Sequence, residues 1–347
     1  MIDYKKIFLY TASLVAMAAL LWMADFQEIL THLIAMDIKI LIQVVLLQML
    51  TIFLIIWQWR LTSQVIGNTV SWNKMIYINM IGTFVESITP ALKTGSELTR
   101  VYFLRSHAGL SLTSSVSMLI LQKAISLSAF ILLNITGLVF FLTSYSEKIS
   151  NTNFFIVYLI VLAVIFLLLI FFITSPKSLS HLINPIHFIP ERFKIKAESF
   201  LVRLQLTVAN LFKNTRLFLR IVVQALVIWI LYAVKAYIIV RSLGIGIDFA
   251  EITVATLFSY MIAMIPLFPG GLGSFEAAYS FMFVSMGFDI EIGIASALTL
   301  RLVTFWFVFL ISVIYLAVHA LKGNLQKIRT LFYDLDVQKD MERRHEL

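Results

Sequence analysis

The chain has 347 residues, of which 60% are hydrophobic, 14% aromatic and 13% charged, a balance that lies outside soluble globular domains and points to a polytopic membrane protein. Its formal net charge of +8 fits basic loops held in the cytoplasm, and no nucleic-acid partner is expected. With no cysteine and six scattered histidines, disulfides, thiolate sites and histidine clusters drop out, so neither a metal nor a cofactor is expected.

A spanning helix takes roughly 20 mostly apolar residues. Six stretches qualify, near 7–23, 39–58, 113–142, 154–174, 219–241 and 293–318. The first follows Lys5 and Lys6 and resembles a secretory leader, but the spans after it mark it as a retained helix that starts in the cytoplasm. Lys123, Lys235 and Arg301 stand in or near three of the later spans. Two further stretches, about 75–108 and 251–287, are moderately hydrophobic but broken by Pro, Gly and Glu.

Basic loops orient the segments. Arg60, Lys74, Lys93, Arg100 and Arg105 flank or occupy the first broken stretch, which therefore enters and leaves from the cytoplasm. The loop 175–218, with seven Lys and Arg against two Glu, is also cytoplasmic. Asp248, Glu251, Asp289 and Glu291 bracket the second broken stretch, which enters and leaves from outside. The expected fold is an all-α polytopic membrane protein of about six spanning helices plus two re-entrant helical hairpins. Residues 1–150 and 151–321 form an inverted repeat, followed by a basic cytoplasmic tail, 322–347. Glu97 lies seven residues after Pro90 and Glu276 seven after Pro269. Lys123 follows Glu97 by 26 residues, and Arg301 follows Glu276 by 25.

Within the loop, Phe193, Ala197, Phe200, Leu201, Leu204, Val208, Leu211 and Phe212 recur at helical spacing. That pattern suits an amphipathic helix, either lying on an anionic leaflet or packing on its neighbours.

Non-helical backbone at membrane depth is tolerated only where protein or a water-filled cavity surrounds it. The segment PGGLGSFEAAY, 269–279, is therefore expected to line a cavity. A helix starting after Gly273, with Ser274 as N-cap, would aim N–H groups at an anionic group such as a phosphate. Pro269, Gly270 and Gly271 shape the turn and let a head group approach the backbone. Arg301, about nine residues into its helix, is expected to meet Glu276 or a substrate phosphate, with a purely structural pair to Glu276 or Glu97 as the alternative. Lys123 either serves the same role from the first repeat or snorkels, and Lys235 is expected to snorkel. Glu97 and Arg100, with Gly95, are candidates for the substrate site, Glu97 and Glu276 balancing the cations or carrying protons, with a helix-surface pair of Glu97 and Arg100 as the alternative; Glu86 is either a proton carrier or an interfacial residue. Asp334 and Asp336, an Asp-x-Asp pattern in the tail, read as solvated. No nucleophile elbow, P-loop, dinucleotide fingerprint or zincin motif occurs, so no catalytic residue is assigned.

TPALKTGSELTRVYFLR (89–105), PGGLGSFEAAY and LRLVTFW (300–306) resemble the membrane domain of the lysylphosphatidylglycerol synthase flippase family. The resemblance covers nearly the whole chain. It implies a prokaryotic membrane protein related to domains that flip aminoacylated phospholipids, with relatives linked to polyprenyl-linked sugar pathways. Matching positions are Gly95, Glu97, Arg100, Pro269, Gly270, Gly271, Gly273, Glu276 and Arg301. Gln122, Lys123 and Ser126 stand where that family often carries an E-R-x-x-D-like pattern, so no acid-dependent step is carried over to that helix. No counterpart of the aminoacyl-transferase domain of the full synthases is expected in the residues past Leu321, so making an aminoacyl-lipid is not the expected activity.

The leading expectation is a transporter or flippase for an anionic phospholipid or lipid-linked sugar in the prokaryotic cell membrane, with both termini cytoplasmic. Its phosphate would sit between the two hairpins. The alternatives are a membrane glycosyl- or acyl-transferase acting on a lipid phosphate, with Glu276 as general base, and a non-catalytic partner of a separate lipid-modifying enzyme. Partners consistent with these readings are the membrane lipid, such an enzyme, and further copies of the chain.

Overall fold

The computed structural model describes residues 37–88, 94–144, 152–175, 191–265 and 269–322. The expected span near 7–23, Pro90, and the tail with Asp334 and Asp336 lie outside them. The described residues hold helices and short turns, with no strand among them: α1 (Ile38–Val65), α2 (Trp72–Ile88), α3 (Thr94–Ser106), α4 (Leu112–Ser144), α5 (Thr152–Thr174), α6 (Glu191–Lys213), α7 (Thr215–Ser242), α8 (Phe249–Met264), α9 (Ser274–Ser285) and α10 (Ile290–Lys322). Five of them, α1, α4, α5, α7 and α10, are long and apolar enough to cross a membrane. They coincide with the five expected spans that fall in the described residues.

The two broken stretches resolve into pairs of short helices, α2 with α3 and α8 with α9, each pair packed side by side. At 1.5 Å per residue the longest of the four, α2 with 17 residues, reaches about 26 Å, short of the roughly 30 Å hydrocarbon core. Local chemistry sets the starts of several helices. Asp37 Oδ1 accepts from the Lys39 amide at 2.9 Å at the head of α1, Ser111 Oγ from the Ser114 amide at 3.1 Å at α4, and Asn214 Oδ1 from the Leu217 amide at 3.1 Å at α7. Glu251, in the first turn of α8, reaches back to accept from the Asp248 amide at 2.9 Å, so an orphan helix donor finds a partner within the chain.

α7 is the hub, packing on α1, α4, α6, α8 and α10. Because lipid tails are as apolar as leucine, polar staples and close small-residue contacts hold such helices together. Gln122 donates to Gln58 Oε1 at 3.1 Å, Gln224 to the Leu54 carbonyl at 3.1 Å, and the Trp229 indole to the Ser126 carbonyl at 3.0 Å. These bonds tie α1, α4 and α7. On α6, Leu201, Leu204, Val208 and Leu211 are buried, the last two in a cluster with Leu61, Leu121 and Ile221. These four residues of the apolar face therefore pack on neighbouring helices, whereas Phe200 is half-buried and Phe212 exposed; the side chains of Phe193 and Ala197 lie outside the description.

Gly293 is where α10 meets α9. A β-carbon there would lie 2.9 Å from Ser280 Cα and 3.2 Å from Phe283 Cβ, both fixed parts of α9. Gly293→Val is expected to destabilise the fold by about 1–3 kcal/mol through overpacking. Gly246→Ala, at a position with open space around it, leaves the midpoint unchanged in the same thermal unfolding series in detergent.

Candidate functional site

The segment PGGLGS forms a tight turn between α8 and α9. Gly270, Gly271 and Gly273 all have positive φ, at 59°, 70° and 82°, a region that side-chain-bearing residues rarely enter. At Gly271 a β-carbon would also meet Ala263 Cβ at 2.7 Å. The N-cap of α9 is Gly273, not Ser274. Ser274 is the first helical residue, and its hydroxyl donates to the Gly271 carbonyl at 3.1 Å. The left-handed backbone at 273 selects glycine over a hydroxyl cap. Glu276 then turns back to accept from the Gly273 amide at 2.7 Å. One of the N–H groups expected to await a phosphate is thus already taken by the chain's own carboxylate.

Arg301 completes the turn. Its Nη2 donates to the Gly270 carbonyl at 2.5 Å, and its Nε lies 3.5 Å from Glu276 Oε1. The guanidinium carbon stands 4.4 Å from the centre of the Phe305 ring and 5.5 Å from that of Phe275. One side chain so joins the turn, α9 and α10, with both charged partners almost wholly buried. Directly after Arg301, α10 widens into a π-helical turn, Leu302–Trp306, a feature frequent at functional sites. Within it Thr304 accepts from the Tyr260 hydroxyl of α8 at 3.0 Å.

The first broken hairpin places its charges differently from the expected i, i+3 pair. Arg100 of α3 reaches across to Glu86 of α2 at 3.4 Å, and Glu97 turns to Lys123 of α4 at 2.9 Å. Gly82 makes the crossing possible, because any side chain there would collide with the Arg100 guanidinium. Arg100 also lies 5.7 Å from the centre of the Trp59 ring. The expected snorkelling of Lys235 does not occur. It is fully buried, and its amino group donates to Gln48 Oε1 and, at 3.1 Å, to Thr51 Oγ1 of α1, 4.1 Å from the centre of the Tyr232 ring. Two turns from a helix end is a short distance along the axis, but α1 and α7 close over the side chain before it reaches that end.

A cavity of about 300 Å³ opens between these groups. Arg100, Lys123, Gly270, Gly271 and Arg301 line it, as does Glu86. The Pro269–Gly271 turn packs against α2, which is how residues from both hairpins come to share one wall. Glu97, Glu276, Gly273 and Ser274 stand behind that wall; Gly95 lies on α3, its carbonyl accepting from the Thr99 hydroxyl at 2.8 Å. The side chain of Pro269 lies outside the description. Sequence reasoning missed the neutral part of the lining, above all Gln48, Gln58, Asn79, Tyr232 and Tyr260. The available signal was the cost of an amide inside an apolar span. Among the described residues no cluster of three metal-ligating side chains occurs.

A family model described as "Lysylphosphatidylglycerol synthase TM region" matches residues 10–312. A "UPF0104 membrane protein" of Methanothermobacter thermautotrophicus is 22% identical over 313 residues, covering 88% of this chain and 93% of the relative. A second protein of that description, from Pyrococcus horikoshii, is 22% identical over 314 residues, covering 87% of this chain and 93% of its own.

Removing one partner of a buried ion pair leaves the other charge uncompensated. Glu276→Gln is therefore expected to cost about 3–5 kcal/mol, read as a lower unfolding midpoint in detergent. Combining it with Arg301→Gln is expected to cost less than the sum of the two single losses, with a coupling of about 1–3 kcal/mol in a double-mutant cycle.

Proposed function

The chain belongs to the lysylphosphatidylglycerol synthase transmembrane-region family, and from that premise we propose that it is a flippase for an anionic lipid, holding the phosphate-bearing head group in the cavity while the acyl chains stay in the bilayer. The observation that carries this reading is the cavity itself, lined from α2, α3, α4, the Pro269–Gly271 turn and α10 at once. Arg100, Lys123 and Arg301 are its phosphate-binding cations. Gly270 and Gly271 keep the wall free of side chains, and Glu97 and Glu276 balance the cations while the site is empty. Gly95, Pro269, Gly273 and Ser274 shape the two turns.

In this reading the hairpins are re-entrant, the first from the cytoplasm and the second from outside. Residues 1–150 and 151–321 form an inverted repeat whose halves rock against one another to expose the cavity alternately. Both termini lie in the cytoplasm of a prokaryotic cell. The short α2, α3, α8 and α9 support this topology, since none can cross the membrane alone. A cavity that polar at membrane depth needs a polar occupant, which a lipid head group supplies.

The test is reconstitution of the purified chain in liposomes with tail-labelled anionic and zwitterionic phospholipids, followed by a membrane-impermeant reductant. The inner-leaflet label becomes accessible faster than in empty liposomes for the anionic lipid. Arg301→Ala and Arg100→Ala slow that exposure about tenfold, the equivalent of roughly 1.4 kcal/mol in a barrier. Rates equal to empty liposomes, or unaffected by both substitutions, would overturn the proposal.

A further inference from the structure

The charges around the cavity do not cancel. Arg100 faces Glu86, Lys123 faces Glu97 and Arg301 faces Glu276. Lys235, when protonated, adds a fourth cation, and among the described residues its amino group meets the neutral oxygens of Gln48 and Thr51 and the face of Tyr232. Gln48 and Tyr232 both stand in the cavity wall, so this charge sits one side chain behind it. With Lys235 protonated, four cations against three carboxylates among these described residues leave a surplus of one positive charge where lone charge is expensive, and a bound anion would favour that protonated form. A monoanion completes the site. A cationic group would add to the surplus, and each of the three carboxylates already faces a cation.

The rest of the wall is neutral and hydrogen-bonding. Gln122 is more than nine-tenths buried, gives its amide N–H to Gln58, and among the described residues its Oε1 has no hydrogen-bond partner. A buried carbonyl oxygen left open in a cavity wall calls for a donor, and a hydroxyl is the neutral donor that lipids carry. Trp59 and Trp229 add indole rings to the lining, the surfaces on which the C–H face of a sugar or polyol packs.

We infer that the cavity takes a head group with one negative charge, on a phosphodiester, and an uncharged hydroxylated remainder, in preference to a cationic aminoacyl head group. A phosphodiester supplies the single charge, whereas a phosphomonoester carries about 1.5 to 2 at neutral pH. This rests on the reading of the cavity as a lipid head-group site and narrows its substrate class.

Calorimetric titration of the purified full chain in detergent with deacylated head groups tests it without requiring transport. Glycerophosphoglycerol is expected to bind at least about tenfold more tightly than glycerophosphoethanolamine, glycerol 3-phosphate or lysyl-glycerophosphoglycerol. Lys235→Met weakens it about tenfold, as for one charge roughly 10 Å away at an effective dielectric of about 20, and Lys235→Arg does not. Gln122→Leu weakens glycerophosphoglycerol but not dimethyl phosphate, which has no hydroxyl. Unfolding midpoints of all variants separate lost binding from lost fold. The inference fails if the amine-bearing head groups bind as well as the polyol, if no head group binds, or if Lys235→Met changes nothing. Selective binding without lipid movement in liposomes would instead retire the flippase reading and leave this one standing. Movement of every lipid at one rate, with no binding preference, would retire this one alone.

Discussion

The pairing of Arg301 with Glu276 and the Gly270 carbonyl fixes how the non-helical turn is held between α8, α9 and α10. Hydrocarbon offers no partner to a bare carbonyl, a carboxylate or a guanidinium, so each must be answered by another part of the chain. Here the guanidinium donates to the Gly270 carbonyl and pairs by charge with the carboxylate at 3.5 Å, while Glu276 accepts from the Gly273 amide at the head of its own helix; Arg301 Nε and Glu276 Oε1 make no hydrogen bond among the described residues. The aromatic faces of Phe275 and Phe305 complete the enclosure. From this knot follow the angle at which α9 leaves the turn, the contact of the turn with α2, and the glycine-lined wall of the cavity.

The first hairpin solves a similar problem with a looser construction. Arg100 reaches Glu86 across a helix that must lack a side chain at Gly82, and Lys123 with Glu97 remains partly open, at 39% and 26% exposure. One wall is therefore a tightly interlocked turn and the other a pair of more accessible bridges. Under the proposed flippase reading, this difference assigns the second hairpin the role of a fixed template and the first that of the side whose ion pairs exchange.

Spans and breaks were legible because their signals are one-dimensional. Length and apolarity mark α1, α4, α5, α7 and α10, and Pro, Gly and Glu mark the hairpins. The cost of a lone charge inside a span likewise carried a usable hint that Arg301 meets Glu276. What stayed hidden depends on neighbours in space. Arg100 had Glu97 one turn away in sequence, yet Glu86 lies nearer across the hairpin. Ser274 has the chemistry of an N-cap, but the positive φ at residue 273 overrides side-chain preference. Lys235 seemed near enough to a helix end to escape, and only the placement of Gln48 and Thr51 on α1 shows why it stays. The glutamines at 48, 58 and 122 converge on one cavity only once the rotations of α1 and α4 are known.

The wide turn at Leu302–Trp306 has a further consequence for α10. Such a turn amounts to one residue inserted into an otherwise regular helix, and one residue rotates everything beyond it by about 100°. The half of α10 before it faces α7 and α9, while Ile311 and Tyr315 beyond it pack into the cluster around Trp59 and Met75. A single added residue thus lets one helix serve two differently oriented surroundings. Shortening the chain by one there would realign the halves into a common phase, so that Arg301 and Tyr315 could no longer both meet the partners they have now.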